Sequence, residues 1–126
     1  MKGPTVTLNH LNLPVSNVGD AYAFLTTYFG LKPFAREPNA IMALLQDDAG
    51  TVLNLSNFDK ATSVQYPSAF HIGFQQENEA RVDELNERLR QDGFEVDPPR
   101  RFHGAWTFYI DAPGGFMVEV LHQPTG

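Results

Sequence analysis

The chain contains no cysteine. Disulfide scaffolds, thiolate zinc sites, iron–sulfur clusters and a cysteine nucleophile are therefore excluded. No apolar run approaches the ~18–20 residues of a membrane span, so no membrane partner is expected. The opening Met1-Lys2-Gly3-Pro4 lacks the apolar stretch of a secretory signal, and a cytoplasmic location is expected. Basic residues are few: nine Lys and Arg stand against fifteen Asp and Glu, for a formal charge of -6 and a pI of about 5.0. That balance argues against nucleic acid as the main partner. No P-loop or dinucleotide fingerprint is present. Gly114-Gly115 sits in a strand turn, without the glycine spacing and following helix such a motif needs. What remains is 126 residues, 42% hydrophobic and 12% aromatic, enough for a core and for a domain that handles something small.

The two halves of the chain repeat one another. Thr5 to Leu13 reads as a strand, followed by the capping residues Ser16-Asn17-Val18-Gly19-Asp20. Ala21, Phe24, Leu25 and Tyr28 then fall on one face of a helix that Gly30 closes. Strands are predicted near 33–37, 40–46 and 51–56, with Asp47-Asp48-Ala49-Gly50 turning between the last two. In the second half, Ala69 to Gln75 reads as a strand and Asn78 as the cap of a helix with the stripe Val82, Leu85 and Leu89. Strands follow near 94–97 or 100–103, then 106–111 and 116–122, the last pair joined by Asp111-Ala112-Pro113-Gly114-Gly115. Each half reads β-α-β-β-β, giving a first module of about 5–57 and a second of about 67–123.

Side chains alternate along a strand, and the alternation sorts the polar residues. Phe70, Ile72 and Phe74 share one face, with His71 on the other; Phe116, Val118 and Val120 share one face, with Met117 and Glu119 opposite. Leu53 and Leu55 likewise oppose Asn54. The apolar faces suit packing on the helices. The opposite face then carries His71, Glu119, Asn54 and His10, a lining that suits a cavity. A carboxylate between Val118 and Val120 is costly unless paired or metal-bound. Taken singly, a strand histidine is more often a hydrogen-bonded structural residue, and a strand glutamate more often pairs with arginine, for which Arg100 and Arg101 are available. The repeat shifts these odds, because His10 with His71 and Asn54 with Glu119 occupy equivalent places in the two modules. Two imidazoles and one carboxylate can form a facial triad for Fe(II), Mn(II), Zn(II), Ni(II) or Co(II).

The chain resembles the vicinal oxygen chelate superfamily of glyoxalases, bleomycin-resistance proteins, fosfomycin-resistance enzymes and extradiol dioxygenases. The resemblance rests on His10-Leu11-Asn12-Leu13-Pro14-Val15 and the helix end Tyr28-Phe29-Gly30-Leu31. It rests also on Phe70-His71-Ile72-Gly73-Phe74 and on the run Phe108-Tyr109-Ile110-Asp111-Ala112-Pro113-Gly114-Gly115-Phe116-Met117-Val118-Glu119. It implies an α+β fold: two βαβββ modules forming an open, cup-shaped mixed sheet with helices on the outside, within one domain over 1–126. It implies metal ligands at His10, His71 and Glu119, and a homodimer. Asn54 stands where glyoxalase I has a fourth ligand, usually glutamate. An amide is a poor ligand and cannot serve as a proton-moving base, which turns the reading away from glyoxalase I.

The extradiol signature is nearly met by His103, Phe108-Tyr109, Ala112-Pro113, Gly115 and Glu119, with the spacer after His103 one residue short. The leading expectation is thus a divalent-metal enzyme, extradiol-dioxygenase-like, acting on a small molecule through adjacent oxygens, with Fe(II) or Mn(II) favoured. Tyr109 would orient the substrate hydroxyl and His103 would act as acid–base. Asn54, Trp106 and Met117 would line the pocket. Its rivals are a glyoxalase-type isomerase or lyase, a fosfomycin-type thiol transferase, and a metal-free drug-binding protein of the bleomycin-resistance kind.

Overall fold

Two asparagines start the two helices. The Asn17 side chain accepts from the Asp20 backbone N–H at 2.9 Å, and Asn78 does the same for Arg81 at 2.9 Å. Each satisfies an N–H that the first helical turn leaves without a partner. Helix α1 (Val18–Phe29) ends at Gly30, whose φ of 65° is the left-handed conformation a glycine adopts without a Cβ penalty. Helix α2 (Glu79–Gln91) ends with Asp92 and Gly93 returning their N–H groups to the last turn.

The computed structural model describes residues 3–124. The chain divides between Val64 and Gln65 into two compact units. In the first, strand β1 (His10–Pro14) precedes α1, and β2 (Lys32–Pro33), β3 (Met42–Gln46) and β4 (Val52–Ser56) follow it. In the second, β5 (Ile72–Gln75) precedes α2, and β6 (Arg100–Phe102), β7 (Ala105–Ala112) and β8 (Phe116–His122) follow. The sheet orders are β1-β4-β3-β2 and β5-β8-β7-β6. In each, the opening strand runs parallel to the closing strand and every other pair is antiparallel. Both units are therefore α+β with mixed four-stranded sheets, the fold class expected from the sequence.

Several elements differ in extent from the expectation. Regular pairing in the first strand begins only at His10; the stretch before it makes isolated bonds, with Val52 N–H donating to the Asn9 carbonyl at 2.9 Å. β2 is only two residues long. Of the two alternatives for the sixth strand, Arg100–Phe102 pairs and 94–97 does not. The buried Asn86 side chain instead donates to the Asp97 carbonyl at 2.8 Å and ties that segment to α2.

The apolar faces close on the helices as alternation requires. Leu13, Ala43, Leu45, Leu53 and Leu55 are buried with Val18, Ala21, Phe24 and Leu25 of α1. Phe108, Ile110, Phe116, Val118 and Val120 are buried with Val82, Leu85 and Leu89 of α2. Leu25 is fully buried, at 0% exposure. Leu25→Ala is expected to cost about 2–5 kcal/mol of unfolding free energy, measured by urea denaturation, through lost transfer energy and the cavity left behind.

Candidate functional site

The second unit gathers half of the expected residues, His71, Tyr109, Met117 and Glu119, on the sheet face turned away from α2. Glu119 lies on the inner strand β8, in register with Gly73 of β5 on one side and Tyr109 of β7 on the other. Gly73 presents no side chain there, and a Cβ at that position would lie 3.9 Å from Glu119 Oε1. His71, just before β5, extends across this gap so that its Nε2 lies 3.3 Å from Glu119 Oε1. The Glu119 side chain is 13% exposed and that of His71 36%.

The other atoms of these two side chains are already occupied. His71 Nδ1 lies 3.0 Å from the Ala69 carbonyl, which can only accept, so Nδ1 carries the hydrogen. Thr107, fully buried, donates from Oγ1 to Glu119 Oε2 at 2.7 Å. The same hydroxyl lies 3.1 Å from the Val120 carbonyl, the weaker claim on its single proton. In the neutral imidazole, Nε2 is then a lone pair facing a carboxylate oxygen. Two acceptors in that position need a proton or a cation between them. An imidazole with one carboxylate is a donor set suited to a divalent transition metal. His71 and Glu119 could hold such an ion, with Ala69 and Thr107 as the outer partners that orient ligands of this kind. Arginine does not pair with Glu119: Arg101 bonds Glu79 at 2.9 Å, and Glu119 has Thr107 and His71.

Tyr109 completes this cluster. Its ring meets that of His71 edge-on, with centroids 5.3 Å apart. Its phenol is pushed above the usual 10 by burial first and then by the neighbouring Glu119 carboxylate, while Arg100 pulls the other way. Tyr109 is thus a neutral hydrogen-bond donor at physiological pH. Tyr109 and Met117 also line a groove of about 580 Å³ between β7 and the 94–97 segment, with Phe94, Val96 and Asp111 among its walls.

Other expected residues lie elsewhere. Trp106 has the opposite strand parity from Tyr109. Its indole Nε1–H donates to Asp83 of α2 at 2.8 Å, and Arg101 lies 5.2 Å from its ring, so it is on the helix side of the sheet rather than in the groove. His103 sits in the β6–β7 turn with a φ of 52°, exposed and against Phe102 at a centroid distance of 3.9 Å. At about 3.3 Å per residue, even Ala105 lies roughly 13 Å along β7 from Tyr109, so the turn does not bring His103 to this cluster.

His10 and Asn54 belong to the first unit, on its face away from α1. His10 is exposed, with Nδ1 3.1 Å from Asn9 Oδ1. Asn54 donates from Nδ2 to Asn12 Oδ1 at 2.9 Å, in register with it, and its own Oδ1 is buried without a partner. That orphan acceptor can receive a hydrogen bond but cannot move a proton. A groove of about 540 Å³ in this unit, lined by Ser16, Asn17, Tyr22, Asn39 and Asn57, touches neither residue. Among the described residues no three His, Asp or Glu side chains form a metal-binding group.

Thr107 and Arg100 were absent from the sequence-derived site. Thr107 shares strand parity with Tyr109, the signal that finds it. Arg100 is placed by the β6–β7 register, opposite Thr107, which the sequence does not display.

The model of the Glyoxalase/Bleomycin resistance protein/Dioxygenase superfamily matches residues 7–120, and the chain belongs to that superfamily. A structure described as a possible glyoxalase from Bacillus cereus is 44% identical, with 93% of this chain and 99% of that one covered and a TM-score of 0.83. Lactoylglutathione lyase from Agrobacterium tumefaciens shares the fold at 22% identity, covering 95% and 96% of the two chains with a TM-score of 0.74. A variant of the fosfomycin resistance protein FosX from Listeria monocytogenes, complexed with Mn(II) and 1S,2S-dihydroxypropylphosphonic acid, shares it at 23% identity, 96% and 95% coverage and a TM-score of 0.75. No functionally curated protein matches the chain.

Because Glu119 contributes to the raised phenol, Glu119→Gln should lower the ionisation midpoint of Tyr109. Ultraviolet titration of the variant against wild type, with Tyr109→Phe to assign the transition, should show it moving down toward the ordinary tyrosine value while remaining above it, since burial persists.

Proposed function

We propose that this chain is a divalent-metal-dependent enzyme that acts on a small molecule through adjacent oxygens. The observation that carries the reading is the facing pair His71 Nε2 and Glu119 Oε1, each on a side chain whose other polar atom is already engaged. His71 and Glu119 would hold the ion; His10, the third ligand that the resemblance implies, lies in the first unit. The metal, when bound, would supply Lewis acidity and a template for substrate oxygens. The FosX complex with Mn(II) and a vicinal diol is a precedent in the same fold for that kind of ligand.

The chain's own residues supply the rest. Thr107 keeps one carboxylate oxygen of Glu119 turned away, leaving the other beside His71. Tyr109, a neutral phenol, can donate to a substrate oxygen next to the pair. Met117 offers an apolar surface in the adjoining groove.

Among the reactions of the superfamily, extradiol ring cleavage with Fe(II) or Mn(II) keeps Tyr109 as its supporting residue and loses His103 as acid–base. The position of His103 favours a second reading, a redox-neutral reaction of the glyoxalase or fosfomycin type on a substrate held through the same oxygens. We further propose a cytoplasmic homodimer; the exposed Val6, Leu8 and Phe58 of the first unit support an apolar partner surface.

Metal analysis of protein purified without chelator tests the central reading. Wild type should retain a stoichiometric divalent ion, while His10→Ala, His71→Ala and Glu119→Ala should retain far less. Equal and negligible metal in all four under metal-replete conditions would sink it. Thr107→Val should weaken metal affinity by about 10–100-fold, read by competition with a chromogenic chelator, because the carboxylate loses the partner that orients it. Oxygen uptake with a catechol panel in Fe(II)-loaded protein separates the two reaction readings: turnover that survives His103→Gln supports ring cleavage without that residue.

A further inference from the structure

We infer that Arg100 is a specificity-determining residue whose guanidinium receives an anionic oxyacid group, a carboxylate or phosphonate, on the substrate held beside His71 and Glu119. This deepens the proposed function and rests on it for the identity of the neighbouring site.

The placement comes from the sheet. Arg100 pairs with Thr107 and Phe102 with Ala105, so the Arg100 side chain leaves β6 on the face that carries Thr107, Tyr109 and Glu119. Arg101, the next residue, leaves on the other face and is used up there, bonded to Glu79 and lying over Trp106. Arg100 is exposed, and among the described residues no carboxylate lies within ion-pair distance of it. The carboxylate on its own face, Glu119, is taken by Thr107 and His71.

The guanidinium is nevertheless positioned. Its central carbon lies 4.2 Å from the Phe102 ring centroid. The ring restrains the guanidinium without consuming its charge, and a guanidinium matches a carboxylate or phosphonate in fork geometry. Two strand spacings and two residues separate the Arg100 and Glu119 Cα atoms, about 12 Å in sheet geometry. A chain of charge -6 repels anions at long range. A local unpaired guanidinium offsets that repulsion at the point of binding.

The test uses Zn(II)-loaded protein, so that no turnover intervenes, and isothermal titration with three probes: protocatechuate, its neutral amide, and its phosphonate analogue. Wild type should bind one or both anions about tenfold or more tighter than the amide, as a charge-assisted fork implies. The stronger of the two names the oxyacid. Arg100→Gln should abolish the preference, Arg100→Lys should retain part of it, and Arg101→Gln should leave it intact. Equal binding of anion and amide by wild type, or a preference that survives Arg100→Gln, overturns the inference. A second measurement does not depend on metal: nitrogen-edited NMR of the Arg100 Nε–Hε group during titration with benzoate and phenylphosphonate. A saturable shift supports the role, and an unmoved resonance refutes it. Loss of metal binding with a retained NMR shift would indict the metal reading and not Arg100.

Discussion

Glu119 is a carboxylate on an inner strand, and its environment sets the terms for everything around it. A charged group between Val118 and Val120, both fully buried, must be compensated. Thr107 compensates one oxygen with a direct hydroxyl bond. The other oxygen faces His71 Nε2 at 3.3 Å, with Tyr109 nearby. The carboxylate is thus half satisfied by the protein and half directed outward. The same arrangement raises the Tyr109 phenol and occupies the one carboxylate on the face that Arg100 shares.

Much of this was legible in the residues, because it follows from period-two alternation. The apolar faces of β4, β5 and β8 and the polar set opposite them fall where the pattern puts them, and so do both helix caps. The pairing of His71 with Glu119 follows from a shared face, although their mutual distance does not. Trp106 shows alternation being set aside. It sits an odd number of residues from Tyr109, so one strand cannot present both to one groove, and its indole bonds Asp83 instead. Thr107 was legible by the same rule and was passed over because a buried hydroxyl carries no charge to draw attention.

His103 and Arg100 illustrate the opposite limit. Their positions depend on where the chain turns between β6 and β7. His103 adopts a left-handed backbone in that turn, a conformation uncommon for a residue with a Cβ. Nothing local in Arg100-Arg101-Phe102-His103 announces which arginine shares a face with Glu119. Register decides it, and register is a long-range property. A histidine within motif distance along the chain is therefore a weaker indicator of proximity than a threonine two residues from a site tyrosine.

Apart from His71, the cluster comes from one hairpin. Thr107, Tyr109 and Glu119 lie on β7 and β8, joined by Pro113-Gly114-Gly115, with Gly114 and Gly115 at φ of 104° and 96°. A slip of one position in that hairpin would exchange its two faces, carrying the glutamate into the hydrocarbon interior and a valine out to the open face. Chemical identity at the centre is thereby delegated to a loop that never touches it: the bend fixes phase, and phase decides which side chains share the open face. Changes at those two glycines can therefore dismantle the cluster while every one of its residues is still present in the sequence.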